Sequence, residues 1–332
     1  MKINTIINKK RNCRISIDTM ELTAKLTHSE IEKLQSNFDF DNSSQSEALK
    51  RYEGVFHLKQ YGFTMKVLPR IRQWRRYYNT RITLHKAYFE ADSVPASLKE
   101  LVQMFNWSIT NLHIAFDYPS SYNPLVYKHH GKQNYNKLTD VNGFTTHYFG
   151  SRGSRVVDCE DDTKEKWIHR KNNIAILYDR NEKELATGIT DEPRHEYSKR
   201  YEARMIFKIG ELLLSEIDHA RVAQELDKRI LIADLESSGI HDYARRPLRT
   251  LQNDFNSMDK LVGRWKWDGK NPAKERQKLK ATAMEYREPL ADMYMEHCEE
   301  LFEVFAKKSI KNEHSSLNAS YLEPFTEVVA LN

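Results

Sequence analysis

Four residues on three separated segments of the chain carry side chains suited to phosphoryl transfer. His113 and Asp117 lie in SITNLHIAFDYP, Tyr178 lies in NIAILYD and Glu202 lies in RYEARMIFKI, and all three segments have the composition of strands. Cleaving a phosphodiester by transfer to the protein needs a nucleophilic hydroxyl and a cation near the phosphoryl oxygens. A tyrosine phenol meets the first need, because phenolate is a good leaving group and the bond energy is kept for rejoining. Histidine and carboxylate side chains meet the second.

The spacing of these groups limits which of them can share one cation. His113 and Asp117 lie on the same face of their strand, but at about 3.3 Å per residue they are roughly 13 Å apart. One cation cannot readily bind both. We therefore predict that His113 and Glu202, from a neighbouring strand, are the ligands, with Asp117 beside them or at the rim of the site. The expected cofactor is Mn²⁺ or Mg²⁺, and the imidazole favours Mn²⁺.

Each of these residues also has an ordinary structural interpretation. The chain has 17 tyrosines and 13 histidines, so a strand tyrosine is more often a core aromatic than a nucleophile. A single histidine is more often hydrogen-bonded for structural reasons, and Glu202 between Arg200 and Arg204 could belong to a row of surface ion pairs. The order of the segments along the chain is what favours the chemical interpretation.

A basic and aromatic stretch, RIRQWRRYYNTR, runs from Arg70 to Arg81 and contains five arginines and no acid. Arginines bind phosphates and aromatic rings stack on bases, so this composition suits a single nucleic-acid strand. A solvated basic edge strand or helix face is the alternative. The predicted DNA contacts in this stretch are Arg72, Arg75, Arg76 and Arg81.

Strand patterns dominate the first two thirds of the chain and helical patterns the last third. RISIDTMELTAKL alternates like a strand, the segments over 54–90 look like paired strands, NEKELATGITDEP is predicted to form a turn, and helical periodicity begins at Glu211 and includes LDKRILIADL. This order predicts an α+β fold with a central, mostly antiparallel sheet, flanking helices and a helical C-terminal region. The predicted domains are a catalytic domain over 1–220, a helical DNA-binding or dimerisation region over 221–310 and a disordered tail over 311–332.

Composition excludes several classes of protein. The 332 residues have a net charge of +5, a mean hydropathy of -0.73 and no apolar run near the ~18 residues of a membrane span. The N-terminal segment lacks the pattern of a secretory signal, so we expect a cytoplasmic protein without a membrane partner. Three cysteines that are far apart suit a reducing compartment and exclude a zinc motif made of closely spaced cysteines.

The succession of five motifs, ISIDTMELTAKL, LHIAFDY, THYFGSRGSR, IAILYDRNEKE and RYEARM, resembles the trans-acting Rep family of staphylococcal-type rolling-circle plasmid initiators. Relaxases of some integrative conjugative elements are related to that family. The resemblance extends from about Ile15 to Ile209. The chain departs from the family pattern at His113, where an acid is common, and in a longer charged insertion over 156–173.

The resemblance implies that Tyr178 nicks one DNA strand and becomes joined to its 5′ end, leaving a 3′-hydroxyl that primes a host polymerase. It carries the roles of active-site carboxylates onto Glu202 and Asp117. It also implies a homodimer, an origin hairpin as substrate and a host helicase as partner. Further DNA contacts are expected at Arg152, Ser154, Arg155 and Arg180.

Three alternatives stay open from the sequence. A conjugative relaxase would use the same chemistry in another biological setting. A non-catalytic origin-binding replication protein would keep the fold without the reaction. A metal-dependent nuclease would use water in place of the tyrosine. The basic C-terminal stretches HDYARRPLRTL and GRWKWDGKNPAKERQKLK are candidates for duplex contacts.

Overall fold

The computed structural model of the chain describes residues 5–9, 11–37, 51–90, 94–127, 134–139, 144–150, 173–228, 231–234, 256–257 and 287–305. Strands make up most of these ranges. In chain order they are β1 (Thr5–Asn8), β2 (Cys13–Ala24), β3 (Tyr52–Leu58), β4 (Phe63–Pro69), β5 (Thr80–His85), β6 (Ser108–Tyr118), β7 (Pro124–Tyr127), β8 (Asn134–Thr139), β9 (Thr145–Gly150), β10 (Asn173–Asp179), β11 (Lys199–Ile206), β12 (Leu231–Asp234) and β13 (Asn256–Ser257).

All strands except β7, β12 and β13 belong to one ten-stranded sheet. Its strand order is β3-β4-β5-β2-β6-β11-β10-β9-β8, and β1 pairs with β2. Every pairing in this sheet is antiparallel. The other three strands form a small sheet in which β7 and β13 run parallel. The predicted α+β fold with a mostly antiparallel central sheet is confirmed.

Short helices flank the sheet and follow it towards the C-terminus. They are α1 (His28–Asn37), α2 (Arg72–Arg75), α3 (Lys86–Glu90), α4 (Ala96–Met104), α5 (Arg180–Ala186), α6 (His219–Asp227), α7 (Leu290–Met295) and α8 (Cys298–Phe302). In the described part of the chain, no helix is both long and apolar enough to cross a membrane.

One face of the central sheet is apolar and forms the core. Ile15 and Ile17 on β2, Ile114 and Phe116 on β6 and Tyr201 on β11 are all fully buried there. Burying a large apolar side chain stabilises the fold by about 1.5–3 kcal/mol. Because side chains alternate across a strand, the residues between these positions project to the opposite face. That opposite face of β2, β6, β10 and β11 carries the charged side chains and is called the polar face below.

The described C-terminal helices pack on the same core. Val222 of α6 and Leu301 of α8 belong to the apolar cluster that contains Ile114. The division at residue 220 therefore stays a prediction. The tail over 311–332 and the two basic C-terminal stretches lie outside the described residues.

A β-bulge interrupts the pairing of β2 with β6 beside the polar face. Ile17 pairs with Ile114 and Thr19 pairs with His113, so Asp18 is an extra residue in the register of the two strands. Bulges bend a strand and redirect a side chain, and they are common next to active sites. Here the bulge occurs at an acidic residue that adjoins His113.

Three local predictions are wrong. The segments over 54–90 are predicted to be strands, but the last of them ends in helix α3 (Lys86–Glu90), which buries Tyr88 and Phe89. The segment after Tyr178 was expected to form a turn, but it begins with helix α5, because the Asp179 carboxylate accepts hydrogen bonds from the backbone N–H groups of Asn181 and Glu182 at 2.8 and 3.3 Å. The helical pattern after Glu211 was expected to continue through LDKRILIADL, but Leu231–Asp234 is a strand that pairs with β7. Ile232 is fully buried, and β-branched residues fit a strand well.

Candidate functional site

The antiparallel register of the four central strands brings the predicted site residues onto one face. Asp117 of β6 and Tyr178 of β10 both pair with Arg200 of β11. His113 of β6 pairs with Arg204 of β11. Glu202 lies between Arg200 and Arg204 on β11, and all three side chains project to the same face because they are two residues apart. Side chains two residues apart share a face, and this periodicity is why the alternating segments position the polar groups together.

Three side chains on the polar face form a cluster that could hold a cation. One ligand atom from each of Asp18, His113 and Glu202 lies within 4.8 Å of the other two. His113 Nδ1 is 2.8 Å from Glu202 Oε1. Two carboxylates and an imidazole are suitable ligands for Mn²⁺ or Mg²⁺, so the residues present fit the cofactor that the sequence predicts. We refer to these three residues as the cation cluster.

Asp18 is the one residue of the cation cluster that the sequence did not indicate. The available signal was its alternation with Arg14 and Ser16 in RISID, which places it on the polar side of β2. The bulge that brings it beside His113 leaves no pattern in the sequence.

The pKa values of Asp18 and Glu202 in the cation cluster are both shifted by burial and by neighbouring charges. Burial and the neighbouring charge of Glu202 raise the pKa of Asp18 above its usual value. For Glu202 burial also acts to raise the pKa, but the charge of Arg204 and a hydrogen bond with His113 lower it below its usual value. Arg204 Nε donates to Glu202 Oε1 at 2.9 Å. A divalent cation would neutralise the negative charge that these two acids concentrate in one place.

Asp117 lies outside the cation cluster and is bound by arginines. Arg200 donates to its two oxygens from Nε at 2.6 Å and from Nη2 at 2.7 Å, and Arg180 donates from Nη1 at 3.1 Å. The structure thus does not bring Asp117 into contact with the predicted cation. Arg200 Nη1 also donates to Asp18 Oδ1 at 2.6 Å, so one guanidinium connects Asp117 to the cation cluster.

Tyr178 lies on the polar face and is 7% exposed. Lys183 Nζ is 4.8 Å from the centre of its ring, a cation–π contact that holds the ring in place. Burial raises the pKa of the Tyr178 phenol well above its usual value. The charge of Arg200 acts in the opposite direction, whereas Glu202 and Asp18 add to the increase. The ring is therefore beside the charged groups of the site, and Arg200 is the main group that favours its phenolate form.

The arginine-rich stretch lies on the other wing of the sheet, between β4 and β5. With four strand spacings of about 4.8 Å between β5 and β10, it is roughly 19 Å from the strand of Tyr178. Arg75 pairs with Glu53, and Arg81 pairs with Glu21. Arg72 and Arg76 are exposed.

The aromatic residues of this stretch, like its arginines, include some that contact other side chains of the protein and one that is exposed. Trp74 and Tyr78 stack on each other with ring centres 6.4 Å apart, and the Tyr78 hydroxyl is 3.1 Å from that of Tyr52. Tyr77 is 65% exposed and is the ring that could stack on a base.

Of the other predicted DNA contacts, the structure describes Arg180. Arg180 points its guanidinium at Asp117. Three other predicted contacts lie outside the described residues, namely Arg152, Ser154 and Arg155. The charged insertion over 156–173 also lies outside them, except for its last residue.

Comparisons with known proteins find distant similarity among solved structures. No protein-family model matches the chain, and no curated protein matches it in sequence. Among solved structures, the chain is similar to the rolling circle replication initiator protein from Geobacillus stearothermophilus, with a TM-score of 0.38 and 13% identity over 67% of this chain and 87% of that chain. A similarity at this level assigns no function to the chain.

Proposed function

We propose that this protein nicks one strand of DNA by transesterification, with Tyr178 as the nucleophile and the cation cluster as the site of a divalent metal ion. The observation that carries the proposal is that Tyr178 lies on the same face as Asp18, His113 and Glu202, on a strand adjacent to that of Glu202. Nucleophile and cation ligands thus come from neighbouring strands of a rigid sheet, which suits precise positioning of a phosphodiester.

The reaction would form a bond between the Tyr178 phenol oxygen and phosphorus and break the bond from phosphorus to the 3′ oxygen. The phenol loses its proton, and the departing 3′ oxygen gains one. Bound in the cation cluster, Mn²⁺ or Mg²⁺ would neutralise charge on the phosphoryl oxygens. Arg200 stabilises the phenolate, since its charge acts to lower the pKa of Tyr178. Lys183 holds the aromatic ring.

Access to this face is best at the cation cluster. The Asp18 side chain is 19% exposed and that of His113 is 13% exposed, compared with 3% for Glu202. We therefore place the approach of the DNA backbone on the side of Asp18 and His113. Arg72, Arg76 and Tyr77 lie on the distant wing of the sheet, and there they would hold a flanking part of the strand.

The biological role that agrees with this chemistry is initiation of rolling-circle replication of a plasmid, with the new 3′-hydroxyl used by a host polymerase. A homodimer and a host helicase belong to the same proposal. A conjugative relaxase would share the site, and its natural substrate would distinguish it.

The decisive experiment replaces Tyr178 with phenylalanine. Supercoiled plasmid carrying the protein's own replicon is incubated with Mn²⁺, and relaxed DNA and protein-bound DNA are measured after denaturation. We expect Tyr178→Phe to abolish both products while origin binding is retained. Tyr197→Phe is a matched control, because Tyr197 is 8% exposed and its hydroxyl donates to Asn12, which is not a residue of the cation cluster. Unchanged nicking by Tyr178→Phe would remove the tyrosine from the mechanism.

A water-using nuclease is the second candidate, and the low exposure of Tyr178 favours it. Such an enzyme would use the same cation cluster to cleave DNA without a covalent intermediate. It would yield nicked DNA free of protein and would keep activity in Tyr178→Phe. A wild-type protein that binds the origin but does not cleave it with either Mn²⁺ or Mg²⁺ would indicate a non-catalytic origin-binding protein.

A further inference from the structure

A second group of metal-binding side chains lies among the C-terminal helices. One ligand atom from each of His219, Cys298 and Glu299 lies within 4.8 Å of the other two. His219 is the first residue of α6, and the other two are the first residues of α8. We propose that these three residues bind a zinc ion that joins α6 to α8. This site is separate from the cation cluster and does not depend on the proposed nicking function.

The His219 ring is fixed by a hydrogen bond at one nitrogen and by packing against an aromatic ring. His219 Nδ1 is 2.7 Å from the Tyr294 hydroxyl, and Tyr294 is fully buried. The ring also packs against Phe302, with ring centres 5.5 Å apart. A hydrogen bond on one ring nitrogen fixes the orientation of the imidazole and leaves the other nitrogen for a metal.

The three ligand types select zinc over the metals expected at the cation cluster. A thiolate is a soft ligand that Mg²⁺ and Mn²⁺ do not favour, whereas zinc binds sulfur, imidazole and carboxylate together in a tetrahedral arrangement. Cys298 is 5% exposed, so its sulfur is shielded from solvent oxidants, and Glu299 is exposed. The fourth tetrahedral position would therefore be filled from the solvent side, next to Glu299.

The position of the site indicates a structural role. Val222 and Leu226 of α6 and Leu301 of α8 are buried in the main core. A metal ion at the start of both helices would fix them to each other at the point where they dock on the sheet. Binding to the folded chain alone would stabilise it.

The sequence contains no zinc motif because the ligands come from separate elements. The cysteines are far apart, which excludes a motif of closely spaced cysteines but not a mixed site. His219 and Cys298 meet only when α6 and α8 pack together.

Cobalt substitution tests the site directly on the full chain. Co²⁺ is titrated into metal-free, reduced protein, and the absorption band from sulfur-to-cobalt charge transfer is recorded, followed by displacement with Zn²⁺. We expect one equivalent of Co²⁺ to give this band in the wild type and Zn²⁺ to remove it. Cys298→Ser should abolish the band, and Cys13→Ser, which alters another buried free cysteine, should retain it.

Two further variants separate ligation from misfolding. Tyr294→Phe keeps the packing but removes the hydrogen bond to His219, and we expect the affinity for Zn²⁺ to fall about 10- to 100-fold. His219→Gln should lose the increase in melting temperature that Zn²⁺ gives the wild type. An absent charge-transfer band in the wild type, or a band that persists in Cys298→Ser, would overturn the proposal.

The outcome of the cobalt titration does not depend on whether the protein nicks DNA. The cation cluster contains no sulfur, so Glu202→Gln should leave the charge-transfer band unchanged even if it abolishes nicking. Conversely, failure of Tyr178→Phe to affect nicking would have no bearing on the band.

Discussion

Arg200 binds Asp117 through two parallel hydrogen bonds, from Nε at 2.6 Å and from Nη2 at 2.7 Å, and both residues are 2% exposed. A bidentate pair of this kind is strong and directional. The third nitrogen of the same guanidinium reaches Asp18 at 2.6 Å. Asp117 therefore orients the arginine that faces both the cation cluster and Tyr178, and we propose a positioning role for it.

We expect Asp117→Asn to lower the free energy of unfolding by about 3 kcal/mol. This is the lower end of the range for breaking a buried ion pair, because Arg200 keeps its contact with Asp18. Urea denaturation at neutral pH measures the change. Glu53→Gln is the control, since its partner Arg75 is exposed and such a surface pair is worth at most about 1 kcal/mol. A loss for Asp117→Asn no larger than that of the control would contradict the positioning role.

Asp18→Asn and Glu202→Gln should each weaken Mn²⁺ binding by at least about 100-fold, more than the loss of a supporting hydrogen bond costs. The reason is that each removes one of the two charged oxygen ligands of the cation cluster. Isothermal titration with Mn²⁺ measures the affinity directly. Asp227→Asn changes an exposed acid on α6 and should bind Mn²⁺ like the wild type. Wild-type affinity in Asp18→Asn would exclude Asp18 as a ligand.

Glu288 should make stability depend on pH. Burial raises its pKa from 4.5 to about 7, and the charge of Asp234 adds to this. The folded state thus holds a proton that the unfolded state has lost, so stability is highest below the unfolded pKa and falls as pH rises through 7. At about 1.4 kcal/mol per pKa unit the loss amounts to at most about 3.5 kcal/mol.

Urea unfolding at pH 5 and pH 8 tests this dependence. Glu288→Gln should remove most of the difference between the two values, because an amide does not ionise. The exposed Glu216→Gln should leave the difference as in the wild type. An equal pH dependence in Glu288→Gln would assign the effect to other groups.

Asp179→Ala should destabilise the protein by about 1–2 kcal/mol through loss of the α5 cap. The same carboxylate accepts from Ser198 Oγ at 3.1 Å and lies 2.7 Å from Lys199 Nζ, so the effect should reach the upper end of that range. Asp179→Asn keeps a capping oxygen and should lose less. Thermal melting compares the two variants, and an Asp179→Asn loss as large as that of Asp179→Ala would argue against capping as the cause.

Arg72 and Arg76 should bind single-stranded DNA, whereas Arg81 should not. The double variant Arg72→Ala and Arg76→Ala should reduce the slope of log affinity against log salt by about 1.4, because each phosphate that an arginine no longer neutralises lowers the slope by about 0.7. Arg81→Ala should leave the slope unchanged, because Glu21 already neutralises that charge. Fluorescence anisotropy with an oligonucleotide over a series of salt concentrations gives both slopes. Equal slopes in the double variant and the wild type would exclude this surface.

The fold was predictable because the central strands alternate clearly. In SITNLHIAFDYP the buried residues Ile114 and Phe116 occupy one face, and His113 and Asp117 occupy the other, as the pattern predicts. Helix α5 was not recognised because its start depends on one aspartate cap and not on an apolar stripe. The strand Leu231–Asp234 was assigned to a helix because short apolar runs do not distinguish the two structures.

The candidate site was predictable only in part, because contacts between strands depend on register. The sequence indicated that His113 and Glu202 were chemically suited to one cation, and the structure places them 2.8 Å apart. It did not indicate Asp18, which reaches the cluster through a bulge. It also did not show that two arginines bind Asp117, since one partner is set by the pairing of β6 with β11 and the other comes from the start of α5.

The β2 and β11 strands that supply Asp18 and Arg200 are far apart along the chain, with a separation of 182 residues between these two contacting side chains. A growing polypeptide that has not yet reached Lys199 lacks Arg200 and Glu202 and therefore cannot form the cation cluster. Pairing between strands of such long separation is also slow to form. Truncated or half-synthesised copies that end before Lys199 would accordingly lack both Glu202 of the cation cluster and the guanidinium that connects the cluster to Asp117.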